Sequence, residues 1–429
     1  MGSLAARDLH KVSSAHVTCQ PLFQVGPVRT SRRAFLAASV PSPLLLSLRA
    51  APDIHVTAIE LLPVRATERT VWLVVRLRTD RGLVGLGEAS DAFGFANTTK
   101  QDALRMESEL RNFFALIHGK SPLDIEAYRQ KAAPLALAGG LVSATAYSAI
   151  EQGLWDLAGQ SLDIPTYDLF GGKVRDALAV YANINRVTKP RTPAGFAATA
   201  RKAVEDGFRA VKGAPFDGFP KPGAPAAEIR SAVDQGIACV AAMREAVGSN
   251  VELMVDCHSF FDVPLAQSVA RRLEPYNLAW YEEPVAPERT EETLEIRRSI
   301  RQPMAGGELL FGTRGFAPLC HRQAVHVIMP DVKHCGGLLE MTRIAAMAQT
   351  DGVSVAPHNP SGPISTAANV QICAGMINFR LLELQWGEIG WRSELIIPAE
   401  HFAHGSIPVP DRPGFGIQLN EKLAKSHPV

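Results

Sequence analysis

The chain has 429 residues, 46% apolar and 20% charged, and its 44 Lys plus Arg against 43 Asp plus Glu leave a net charge of +1. That is ordinary globular usage, which excludes wholesale disorder and collagen-like structure, and the absence of a basic excess argues against a nucleic-acid binder. No uninterrupted apolar run reaches the ~18–20 residues needed to cross a bilayer, so no membrane span is expected.

Residues 1–52 stand apart, with six basic residues against the single acid Asp8. Ser31-Arg32-Arg33-Ala34-Phe35-Leu36, an Ala- and Leu-rich stretch and then Arg49-Ala50-Ala51-Pro52 resemble a twin-arginine export signal. A disordered basic extension or a mis-assigned start is the other reading. The first implies a periplasmic protein and the second a cytoplasmic one. Either way the segment is expected to lie outside the fold.

From Ile54 the patterning becomes regular. Val71–Arg78, the turn Thr79-Asp80-Arg81-Gly82 and Leu83–Ala89 predict a hairpin. Met106, Leu110, Phe113 and Ile117 share one helix face, as do Ala146, Ile150, Leu154 and Leu157. Residues 53–178 therefore read as an α+β domain. Beyond it, eight short apolar runs alternate with helical stretches: 179–184, 209–212, 251–256, 278–282, 303–308, 325–331, 353–358 and 380–383. That alternation over residues 179–385 predicts a parallel barrel of the (β/α) type. An open doubly wound sheet would want a glycine-rich phosphate turn after its first strand, and Asn183-Ile184-Asn185-Arg186 is not one. The six cysteines, Cys19, Cys239, Cys257, Cys320, Cys335 and Cys373, form no C-x-x-C pair and mostly sit in apolar runs. They read as buried thiols of a chain that folds in a reducing compartment, not as a disulfide framework or a zinc knuckle.

The polar residues at the ends of those runs carry the functional information. Asp256, Glu282, Glu308, Asp331, His358 and Glu383 follow one another at separations of 26, 26, 23, 27 and 25 residues, about one strand, one helix and two loops apiece. One polar group per repeat is thus delivered to the C-terminal rim, where barrel enzymes keep their chemistry. Asp256, Glu282 and Glu308 make an all-oxygen, triply negative set that suits Mg²⁺, with Mn²⁺ as a substitute. In Tyr281-Glu282-Glu283-Pro284 only one glutamate can face the metal, and Glu282 keeps the register. Asp331 beside His358 would fix the tautomer of an imidazole base. His258, two residues past Asp256, would face the metal if the strand continued, approaching from the side opposite His358 as a general acid. Lys212 would hold a substrate carboxylate or else snorkel to solvent, and Asn183 and Arg186 are candidate hydroxyl contacts.

These residues carry a family resemblance. Ser148-Ala149-Ile150-Glu151-Gln152-Gly153-Leu154-Trp155-Asp156-Leu157-Ala158-Gly159 through Leu169-Phe170-Gly171-Gly172, Trp280-Tyr281-Glu282-Glu283-Pro284, Gly306-Gly307-Glu308 and Met329-Pro330-Asp331 with Gly336-Gly337 resemble the enolase superfamily, in its mandelate racemase-like branch. The likeness runs from about residue 54 to the end. It implies an α/β fold: a modified TIM barrel, (β/α)₇β, with an N-terminal α+β capping domain completed by the C-terminal segment, residues 386–429. It also implies metal-ligand roles for Asp256, Glu282 and Glu308, a dyad of Asp331 and His358, and a hydrogen bond from Glu383 to an enolate.

Departures from the family pattern narrow the activity. Two-base racemases of this branch have Lys-x-Lys on the second strand, whereas the corresponding residues here are Lys212-Gly213-Ala214. Muconate-type cycloisomerases have lysine where Asp331 stands. Asp256 and His258, with Pro357-His358-Asn359-Pro360-Ser361-Gly362-Pro363, are similar to the galactonate and gluconate dehydratase group. The expected activity is Mg²⁺-dependent dehydration of an aldonate or aldarate to a 2-keto-3-deoxy acid through a metal-stabilised enediolate. The alternatives are a racemase or epimerase using both histidines, and a non-catalytic sugar-acid binding protein. The loops Glu60–Thr70 and Ser90–Asn97 are expected to read the substrate. The expected partners are a small-molecule sugar acid and further copies of the chain.

Overall fold

The computed structural model describes residues 53–94 and 98–429. The leader, residues 1–52, and the tip of one expected substrate loop, residues 95–97, lie outside the described residues. The described residues open with an antiparallel sheet of three strands, β1 (Val56–Arg65), β2 (Val71–Thr79) and β3 (Val84–Glu88), followed by α1 (Lys100–Phe114) and α2 (Ile125–Leu162). The expected hairpin is β2 and β3. Its period of two sorts β2 between two cores. Val71, Leu73, Val75 and Leu77 pack with α1 and α2, while Trp72 and Val74 pack with residues from the C-terminal segment.

Thr99 and Asp102 close a capping box that starts α1, and Met106, Leu110 and Phe113 form its buried stripe; Ile117 is buried too, but just past the helix end. Inside α2 the helix breaks at Gly140, whose φ of 71° suits glycine. By length and composition α2 could cross a bilayer. Here it is a core helix, buried almost throughout from Ser143 to Gly159. The glycines of β3 exist because α2 lies directly on that strand. A Cβ on Gly85 would stand 2.3 Å from the Gly153 carbonyl oxygen, and one on Gly87 would stand 2.1 Å from that of Ala149.

The second part alternates strictly: β4 (Ala177–Asn183), α3 (Pro193–Glu205), β5 (Ala210–Gly213), α4 (Ala226–Val247), β6 (Glu252–Asp256), α5 (Val263–Leu273), β7 (Trp280–Glu282), α6 (Thr290–Ser299), β8 (Met304–Gly306), α7 (Gly312–His321), β9 (Val327–Ile328), α8 (Gly337–Thr350), β10 (Ser354–Val355), α9 (Pro363–Cys373) and β11 (Leu382–Gln385). All eight expected strands are present. They pair in parallel in the order β10-β9-β8-β7-β6-β5-β4-β11. The ring closes where Val355 of β10 bridges Phe379, just before β11. Tyr181, Met254, Trp280 and Met329 help fill the barrel interior. A larger apolar layer joins the strands to the surrounding helices.

The remaining elements are β12 (Ile396–Ile397), β13 (Ser406–Pro408), β14 (Gln418–Leu419) and α10 (Glu421–Ser426). They bring Leu395, Ile396 and Ala424 onto the open face of the first sheet, and Arg76 of β2 pairs with Glu421 at 2.6 Å. A second tie pins the first sheet to the barrel mouth. Glu88, at the end of β3, accepts from the backbone N–H groups of Gly362 (2.7 Å) and Ser365 (2.9 Å) at the start of α9. A carboxylate at a helix N-terminus is favourable. Among the described residues the five cysteines are buried and unpaired, as expected.

Candidate active site

Asp256 and Glu282 are the last residues of adjacent strands and face each other across the ladder. Glu308 arrives differently. Strand β8 ends at Gly306, Gly307 turns at a φ of 111°, and the glutamate comes from the loop. One oxygen from each of the three carboxylates lies within 4.8 Å of the others, and all three residues are buried. Glu283 points elsewhere, and its Oε1 accepts from the backbone N–H groups of Gly307 (2.7 Å) and Glu308 (3.3 Å), which fixes the loop that presents Glu308. Burial and the neighbouring Glu308 push Glu283 up to about 8.

The cluster carries more negative charge than the protein neutralises. Lys212 Nζ is buried 2.7 Å from Glu282 Oε1, 3.0 Å from Glu383 Oε1 and 3.6 Å from Asp256 Oδ2. It does not snorkel. Burial and Asp256 still push the Glu282 carboxyl well above its usual range despite that ammonium. Burial also raises Asp256, but His258 and Lys212 outweigh it and hold that group low. A buried, all-carboxylate set with a single lysine among it fits a hard divalent cation, so the donors expected from the sequence suit the expected metal.

Two imidazoles reach this cluster. Beyond β10, His358 places Nδ1 2.8 Å from Asp331 Oδ2 and Nε2 3.4 Å from Glu308 Oε2. Burial pulls its pKa down, but Glu308, the Asp331 hydrogen bond and Glu383 together raise it to about 9. His258 gets there for a reason other than the one expected. Strand β6 stops at Asp256, so pleat alternation does not apply; a turn with φ of 44° at His258 swings the ring inward. Its backbone N–H donates to Asp256 Oδ1 (2.9 Å), Nε2 lies 3.1 Å from Asp256 Oδ2, and Nδ1 lies 2.5 Å from Asp217 Oδ1.

Glu383 is the second residue of β11, not its last, so it sits inside the strand. Its carboxylate accepts from Asn183 Nδ2 (2.7 Å), Lys212 and the Asn359 backbone N–H (2.9 Å). Asn183 is thus spent on holding Glu383. Arg186 lines the same pocket but is tied to Glu388 at 3.2 Å and to Thr70 Oγ1 at 3.3 Å. The pocket is also lined by Arg69, Asp217, His258 and His358. Of the expected loop Glu60–Thr70, the first six residues are strand, and Arg69 is the one that lines this pocket.

Sequence reasoning missed Asp217, Arg191 and Lys333, and it reached Asp91 only as part of the expected loop Ser90–Asn97. Buried Lys333 donates its Nζ to Asp91 Oδ2 at 2.8 Å and stands 3.4 Å from Asp331 Oδ2. A lysine two residues past Asp331 was the one local signal for that contact; the others come from loops without periodicity.

Comparison with known proteins identifies relatives of the whole described chain. Residues 55–171 match the mandelate racemase/muconate lactonizing enzyme N-terminal domain, and residues 195–423 match the enolase C-terminal domain-like family. The chain is 32% identical over 366 residues to D-xylonate dehydratase of Haloferax volcanii, covering 83% of this chain and 85% of that protein. It is 31% identical over 359 residues to D-galactonate dehydratase of Pectobacterium atrosepticum, covering 82% and 90%. A solved mandelate racemase/muconate lactonizing enzyme from Sulfitobacter superposes with a TM-score of 0.79 at 28% identity, covering 88% of this chain and 96% of that one.

Proposed function

The chain belongs to the mandelate racemase/muconate lactonizing enzyme family of the enolase superfamily, and from that footing we propose that it is a hydro-lyase that dehydrates a sugar acid, an aldonate or aldarate, to a 2-keto-3-deoxy acid. The observation that carries the reading is the pair of imidazoles on the triad. Each ring has Nδ1 on an aspartate and Nε2 toward a triad carboxylate. The names of the relatives, D-xylonate and D-galactonate dehydratase, point to the same chemistry.

In this reading His358 is the general base. Asp331 accepts from Nδ1–H, so Nε2 takes the substrate's α-proton and the imidazolium that forms is stabilised in place. His258 is the general acid. Once the α-proton is gone and its electron pair rests in the enediolate, His258 gives its Nε2 proton to the β-hydroxyl, which leaves as water as that pair forms the C=C bond. The enol then tautomerises to the 2-keto product. Lys212 offsets negative charge beside the substrate carboxylate, and Glu383, held by Asn183, accepts from the hydroxyl of the enol. Asp256, Glu282 and Glu308 would hold Mg²⁺, or Mn²⁺ in its place, which when bound would supply positive charge for the enediolate and offset the carboxylate that raises His358.

A racemase or epimerase is the second reading, favoured by the carboxylate that backs His258 just as Asp331 backs His358. The two differ in product. Incubation of the Mg²⁺-supplemented protein with a panel of aldonic and aldaric acids should release a 2-keto-3-deoxy acid from at least one. Configurational inversion with no keto product would replace the dehydratase by the epimerase.

A further inference from the structure

Asp217 lies in the loop between β5 and α4, and no step above uses it. Its two oxygens do different things. Oδ1 is 2.5 Å from His258 Nδ1, and Oδ2 is 3.1 Å from the Arg191 guanidinium. Arg191 is itself held by the carbonyl oxygens of Asn185 (3.0 Å) and Ala214 (2.5 Å), so it is a fixed clamp. A carboxylate can only accept, so Nδ1 donates to Asp217, while Nε2, 3.1 Å from Asp256 Oδ2, carries the other ring proton on the side of the triad, and Nδ1–H is the form left once that proton is given away. The arrangement repeats that of Asp331 and His358 across the barrel.

We propose that Asp217, clamped by Arg191, is a positioning residue that fixes the ring orientation and tautomer of His258. The inference rests on reading His258 as the general acid. It extends that reading to a residue 41 positions away in sequence, reached from a different strand. The loop does not depend on this bond for its place. Phe216 and Phe219 pack edge-on against Phe261, both with ring centroids 5.1 Å apart, and Phe219 stacks on Phe260 at 6.3 Å. Those contacts bind the Asp217 loop to the His258 turn through apolar surface, so the isosteric Asp217→Asn should fold with the loop still in position. It would remove the obligate acceptor and leave the His258 tautomer unset.

The test follows α-proton exchange and dehydration separately, by NMR of a turned-over sugar acid in D₂O, for Asp217→Asn, His258→Asn and the double variant. Asp217→Asn should lower kcat for dehydration at least about tenfold, as orienting partners of an imidazole do. Its KM should stay near that of the unmodified protein and α-exchange should persist. In the His258→Asn background Asp217→Asn should cost nothing more, because its effect passes through a ring no longer there. If His258→Asn impairs dehydration while Asp217→Asn leaves kcat intact or raises only KM, the positioning role is overturned and the acid reading stands. If His258→Asn dehydrates at the normal rate, the acid reading fails and takes the Asp217 role with it.

Discussion

At the scale of single residues, the site is a problem of uncompensated charge. Four carboxylates, Asp256, Glu282, Glu308 and Glu383, share the barrel mouth with one lysine, and burial raises the cost of every unpaired charge. Lys212→Met would remove the cation that touches Glu282 and Glu383, and losing one partner of a buried ion pair costs about 3–5 kcal/mol. Its thermal midpoint in EDTA should therefore fall by several degrees, and Mg²⁺ should recover part of the loss by supplying charge to the same carboxylates. A midpoint that Mg²⁺ moves in neither the variant nor the unmodified protein would contradict a cation site here. The positions of these acids could be read from the sequence because one recurs per strand-helix repeat, in a strand or just past it. Their partners could not. Asp217 meets His258, and Asp91 meets Lys333, from loops whose side chains obey no period, and only the closed barrel makes them neighbours.

At the scale of elements, spacing identified the eight strands and the hairpin, because burial on a barrel wall or a half-covered sheet imposes a visible pattern. What stayed hidden were departures from regularity. The turn at His258 and the bend at Gly307 aim two site residues, yet neither has an apolar signature. The Gly-Leu-Gly of β3 is another case, since its meaning is the absence of side chains where α2 presses on the strand. Gly87→Ala would put a methyl 2.1 Å from the Ala149 carbonyl oxygen. Neither backbone can yield cheaply, so a loss of roughly 1–3 kcal/mol is expected, read as a lower urea midpoint with an unchanged slope. An unchanged midpoint would mean the sheet and helix stand farther apart than described.

At the scale of the whole molecule, the C-terminal segment completes the first sheet. Removing residues 421–429 would strip Leu423 and Ala424 from the apolar layer behind β2 and take Glu421 from the buried Arg76. A loss of about 2–4 kcal/mol in stability is expected from that apolar area and ion pair. Loss of the first 52 residues should cost nothing, since they carry none of the site residues, and a chain beginning at Asp53 should be soluble and active. The two histidines belong to this scale too, because they follow β6 and β10, which stand across the closed sheet from each other, and in the proposed reaction they would flank the substrate. That opposition gives the most direct test of a one-base, one-acid dehydratase: α-proton exchange and keto-acid release by NMR in D₂O, for His358→Asn and His258→Asn side by side. His358→Asn should lose both, and His258→Asn should keep exchange while dehydration falls by about 10²–10⁴-fold. Exchange that survives in His358→Asn would reveal a second base and contradict the assignment.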